Sequence, residues 1–158
     1  MSAIFKYPLK IFFSIFVLLI FFSCQKTETK TQNNSEPITS ISLSYIGGSA
    51  GNYKIIKVTK DSIHAERGNT TNNVHQQKSL TLDPKAWKEL TASFDVKSLD
   101  KIESSASIQS LDGIDETFQI KTPKKSYIYV NSYNDTIHYG QLQRFKDQLE
   151  KVLPKEYQ

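Results

Sequence analysis

The sequence predicts an α+β fold: an antiparallel sheet of about five or six strands with two helices packed on one face, preceded by a signal peptide and a flexible tether. Period-two alternation of apolar and polar residues recurs across residues 41–82, broken by Gly-, Asn- and Asp-rich turns. Asp83-Pro84 then opens a stretch with helical apolar spacing, and a second such stretch fills residues 139–153 after two more strand-like runs. Runs of strands followed by helices, without strict alternation, belong to the α+β class.

At the N-terminus, Lys6 and Lys10 precede residues 11–22, which are apolar apart from Ser14. That is the charge order and length of a secretory signal. A spanning helix needs about 20 apolar residues, and this run stops short of that at Ser23-Cys24. Composition then flips to QKTETKTQNNSEP, with no apolar residue before Ile38. Such a stretch buries too little surface to offset its ordering entropy, so residues 24–37 read as a tether. Fully extended, it reaches roughly 40 Å.

Strands are expected next. Ile41, Leu43 and Tyr45 alternate with Ser42 and Ser44, and residues 53–59 (YKIIKVT) resume β-branched character after the turn Gly47-Gly48-Ser49-Ala50-Gly51. A short turn at Asp61-Ser62 leads into residues 63–67. Residues 68–73 form another turn, and residues 74–82 a further strand, giving an antiparallel meander. Asp83 supplies an N-cap oxygen and Pro84 fits the first helical position, where its missing N–H costs nothing. Trp87, Leu90 and Phe94 mark the buried face of that helix. Residues 104–110 (SSASIQS) read as a loop. Residues 117–121 and 127–131 are two strands joined by Thr122-Pro123-Lys124-Lys125, and Leu142, Phe145, Leu149 and Val152 line the last helix before Pro154.

Bulk composition excludes some functions. Removing residues 1–23 takes away Lys6 and Lys10, leaving 18 basic against 16 acidic residues, a balance of +2 in place of +4. That argues against a nucleic-acid partner. The chain has one cysteine, so it holds neither a disulfide framework nor a cysteine metal site. His64, His75 and His138 are scattered without ligand spacing, and no metal or other cofactor is implied. Asp112 and Asp115 flank Gly113-Ile114 but lack the further acids of a calcium loop, so they read as a turn.

Residues 47–51 match G-x-S-x-G, the nucleophile elbow that would make Ser49 an esterase nucleophile. That elbow turns from a strand into a helix, whereas here a strand-forming run follows, and a glycine-rich hairpin loop is the preferred reading. Tyr127, Tyr129 and Asn131 share one face of a strand, opposite Ile128 and Val130. With helices on one sheet face only, those three residues are the expected binding surface on the open face, for a protein partner in the cell envelope.

Three resemblances add to this. Leu19-Ile20-Phe21-Phe22-Ser23-Cys24 resembles the lipobox of bacterial lipoproteins, of the looser Bacteroidetes type given Phe21. The resemblance implies cleavage before Cys24, a diacylglycerol thioether and acyl chains on Cys24, and attachment to a membrane; Gln25, not aspartate, disfavours inner-membrane retention and points to the outer membrane. The alternative for Cys24 is an ordinary thiol beside a signal anchor. Asp61-Ser62-Ile63 and Asp135-Thr136-Ile137 resemble the O-glycosylation acceptor motif of exported Bacteroidetes-type proteins, with Ser62 and Thr136 as acceptors. Finally, the Gly-Gly-x-x-Gly turn, the Trp/Leu helix, Asp112-Gly113 entering a strand and the closing helix resemble emfourin-type inhibitors of thermolysin-like metalloproteases. Together these give a membrane-anchored, non-catalytic binding domain as the expectation, with protease inhibition as its alternative.

Overall fold

The computed structural model describes residues 37–158; the anchor expectations at Lys6, Lys10 and Cys24 lie outside the described residues. Four strands form a meander: β1 (Ser40–Gly47), β2 (Asn52–Thr59), β3 (Ser62–Asn69) and β4 (Val74–Thr81). Helix α1 (Pro84–Thr91) and a 3₁₀ turn (Val96–Lys101) carry the chain across to β5 (Ile114–Lys121), which pairs with the other side of β1. Strand β6 (Ser126–Val130) and helix α2 (Gly140–Val152) complete the fold. The sheet order is β4-β3-β2-β1-β5-β6, and every neighbouring pair is antiparallel.

Register builds the core as rungs across the sheet. Ile63, Val58, Ile41, Ile120 and Tyr127 are successive cross-strand partners, as are Ala65, Ile56, Leu43, Phe118 and Tyr129. All point to the side covered by Leu90 and Phe94 from the α1 region and by Leu142, Phe145 and Leu149 from α2. Phe145 lies at the centre, with its ring 5.3 Å from Phe94 and 6.2 Å edge-on from Phe118.

Helix α1 begins as expected. The Lys85 N–H donates to Asp83 Oδ1 at 2.7 Å, with Pro84 at the first helical position. It ends early, because Thr91 folds its hydroxyl back to the Trp87 carbonyl at 2.9 Å and the chain tightens over the next residues. Phe94 is therefore buried from beyond the helix, while Trp87 is only half-buried at the edge of the core. Helix α2 stops at Val152, since Pro154 drives Leu153 into an extended conformation.

The expected open-face surface is inverted. Tyr129 is 5% exposed and donates its hydroxyl to the Leu99 carbonyl at 2.7 Å, Asn131 is fully buried, and Tyr127 is half-buried against the core. Ile128, on the opposite face, is 58% exposed. Alternation shows which residues share a face but not which face is covered; pairing of Tyr129 with Phe118 decides that. Burial of the tyrosine costs little here, because its polar tip reaches a carbonyl.

If Phe145 is the central contact of the core, Phe145→Ala is expected to cost about 3–5 kcal/mol of unfolding free energy, read from a urea denaturation curve. An unchanged midpoint would remove Phe145 from the core.

Candidate functional site

Beyond the two apolar rungs the helix-side face turns polar. Gln76, Arg67, Lys54, Tyr45 and Glu116 are consecutive partners across β4, β3, β2, β1 and β5. The same two-residue spacing that puts Ile56 and Ala65 inward puts Lys54 and Arg67 on the same side. Gln76, Arg67, Lys54 and Tyr45 of this rung floor a hollow of about 460 Å³ that opens at this end of the sheet. Val74 and Ile114 stand at its rim, and Glu156 of the C-terminal turn (Lys155–Tyr157) forms a wall.

At one end of the rung, Glu116 is buried and fully engaged. Its Oε2 accepts from Lys146 Nζ at 2.8 Å and from the Tyr45 hydroxyl at 3.0 Å, and its Oε1 accepts from the Tyr139 hydroxyl at 2.9 Å. Lys146 also donates to Tyr139. Burial, then the charge of Glu116, pushes the Tyr45 phenol up from its ordinary 10.0. Burial also raises Tyr139, against the opposing charge of Lys146. For Lys146, burial alone would lower the value, but the bonds to Glu116 and Tyr139 outweigh it and hold the ammonium above 10.5.

Behind this cluster Asn131 ties two segments together. Its Oδ1 accepts from the Glu116 N–H at 2.9 Å, while its Nδ2 donates to Asp115 Oδ1 at 2.7 Å and to the Ala106 carbonyl at 3.1 Å. It holds a left-handed backbone with φ of 49°, which asparagine tolerates better than most residues. Burial would raise Asp115, but bonds from Ser107, the Ile108 N–H and Asn131 hold its carboxyl below the usual range. Asn131 is thus a positioning residue, not a contact for a partner. Asp112 is exposed in a left-handed turn and does not share these bonds.

The other candidates stay apart. Ser49 sits exposed in the β1–β2 turn, and the chain runs on from Gly51 into β2. His64 Nδ1 meets Ser79 Oγ at 3.0 Å, His75 Nδ1 meets the Tyr53 hydroxyl at 2.7 Å, and His138 Nδ1 lies 3.3 Å from Asp135. Among the described residues, no three His, Cys, Asp or Glu side chains converge on a metal position. The Ser62 hydroxyl is engaged with that of Thr59 at 2.8 Å, whereas Thr136 is exposed in the turn before α2. Asp135 holds that turn by accepting from the N–H groups of Ile137 and His138, and it also accepts from that of Glu103.

Lys54 and Arg67 escaped the sequence reading. The available signal was parity: each is a cation in phase with the inward apolar residues of its own strand, Ile56 and Val58 or Ile63 and Ala65. Scanned against known protein families, the chain matches no family model, and no curated protein is significantly similar to it.

The Glu116 cluster predicts the alkaline behaviour of the domain. Tyr45, Tyr139 and Lys146 hold their protons more tightly folded than unfolded, so their contribution is complete below their ordinary values of 10.0 and 10.5. As pH rises through and beyond that window the unfolded chain deprotonates first and stability is lost. The urea midpoint is expected to fall above pH 10.0, and to fall less steeply in Tyr45→Phe. An equally steep fall in that variant would place the source elsewhere.

Proposed function

We propose that the chain is a lipoprotein of the bacterial cell envelope, held to a membrane through Cys24, whose α+β domain binds a ligand or protein partner without catalysing a reaction. The observation that carries this is the apolar run ending at Ser23-Cys24, followed at once by polar residues as far as Pro37. Acyl chains contribute about 0.8 kcal/mol per buried methylene, so a multiply acylated cysteine holds its protein on the bilayer. Among the described residues no helix is long and apolar enough to cross a membrane. Gln25 after the cysteine favours the outer membrane. Binding is supported by the hollow at the polar end of the sheet, floored by side chains set in regular strands.

Cys24→Ser is expected to abolish incorporation of a radiolabelled fatty acid and to move the protein out of the membrane fraction or leave it as an unprocessed precursor. Undiminished labelling of that variant would overturn the anchor.

The resemblance to emfourin-type proteins gives a second reading, inhibition of a thermolysin-like metalloprotease. The two glycine turns on which that resemblance rests lie against each other: the Gly48 N–H donates to the Gly113 carbonyl at 3.0 Å. Gly47, with φ of 145°, approaches so closely that a Cβ there would come within 2.1 Å of that carbonyl oxygen. Incubation with thermolysin tests this reading: loss of protease activity at stoichiometric amounts supports it, and full residual activity at large excess rejects it.

A further inference from the structure

Lys54 and Arg67 face each other directly across β2 and β3, on the same side of the sheet and at the floor of the same hollow. Like charges in that position destabilise a sheet. Proteins usually relieve such a pair with a carboxylate, and this chain does so for its other cations nearby: Lys78 pairs with Glu156 at 3.0 Å and Lys146 with Glu116 at 2.8 Å. Neither Lys54 nor Arg67 has an ion-pair partner among the described residues. Arg67 donates Nε to Gln76 Oε1 at 2.9 Å and Nη1 to the Glu156 carbonyl at 2.6 Å, both neutral acceptors, and among the described residues its Nη2 makes no such bond. Lys54 lies 4.8 Å over the Tyr45 ring and makes no hydrogen bond among the described residues. Burial lowers its pKa, with the charge of Glu150 acting in the other direction. The hollow thus holds two half-buried cations facing each other with no carboxylate in ion-pair contact among the described residues; the Tyr45 and Tyr157 rings lie under them, and the charges of Glu150 and Glu156 act on them from farther away.

We propose that this hollow is a binding site for an organic carboxylate, whose oxygens sit between Lys54 Nζ and Arg67 Nη2 and whose apolar body lies along Val74, Ile114 and the Tyr45 ring. This rests on the reading of the domain as a binding module and gives that module a ligand class. Two cations facing each other across neighbouring strands match the two oxygens of one carboxylate. Val74 and Ile114 are among the exposed large apolar residues, at 47% and 48%, and both stand on this rim. An anion with a hydrocarbon body gains from both features, whereas a bare inorganic ion gains from one only.

The test uses the full-length lipidated chain in detergent micelles, with N-acetyl-leucine as the probe and its uncharged amide as the control. Saturable NMR shifts are expected at the backbone amides of Lys54, Arg67 and Gln76 with the acid and not with the amide. Lys54→Gln and Arg67→Gln are each expected to weaken binding by about tenfold or more, and Lys54→Gln to melt at or above the temperature of the parent because the repulsion is gone. Inorganic phosphate, added as competitor, is expected to displace the probe only weakly. The proposal is overturned if the acid gives no saturable shifts at about ten times a millimolar dissociation constant, if the amide binds equally well, if the double variant binds unchanged, or if phosphate binds more tightly than the acid. Undiminished fatty-acid labelling of Cys24→Ser would sink the anchor without touching this result, and absence of carboxylate binding would leave the anchor standing.

Discussion

Strand β1 lies in the middle of the sheet, and a one-residue slip against either neighbour would turn Ile41 and Leu43 outward. Because β1 pairs with both β2 and β5, its inward residues set the rungs for both halves. Ile41 and Leu43 define two apolar rungs that the helices cover, and Tyr45 begins a polar one. The core and the hollow are therefore consecutive levels of one register. Moving the register to suit one would destroy the other.

Glu116 shows how the polar level is tolerated inside. A buried carboxylate without partners is costly, and losing one partner of a buried pair typically costs about 3–5 kcal/mol. Here an ammonium and two phenols supply the donors, from β1, from α2 and from the turn before α2. The arrangement also orients α2, because Lys146 stands one residue after Phe145 and so fastens the polar flank of a helix whose apolar side fills the core. Packing and charge thus agree on a single placement of that helix.

The two sheet edges are treated differently. Along β6 the Ser105 N–H donates to the Val130 carbonyl at 2.8 Å and Ser104 Oγ accepts from the Val130 N–H at 3.1 Å, so a passing segment satisfies part of that edge. Asn131 holds the same segment through the Ala106 carbonyl. Strand β4, at the other edge, is exposed along nearly its whole length, with Leu80 alone half-buried. Its side chains are mostly polar, which suits an edge facing water.

Local chemistry in the sequence determined much of this protein. Asp83-Pro84 announces its helix because a cap oxygen and a missing N–H act within one turn, and Pro154 ends the last helix in the same local way. Alternation in residues 41–45 and 53–59 declares strands, because a two-residue period is a property of the extended backbone itself. Tertiary structure alone decided which way β6 faces, since Tyr127 and Tyr129 have the same alternation whichever side is buried. It alone brought Glu116 to Tyr45, Tyr139 and Lys146, partners up to 71 residues apart. It also set Lys54 against Arg67. Parity placed each of them on its own strand, but their opposition, and the hollow it floors, exists only once β2 and β3 have paired in one register.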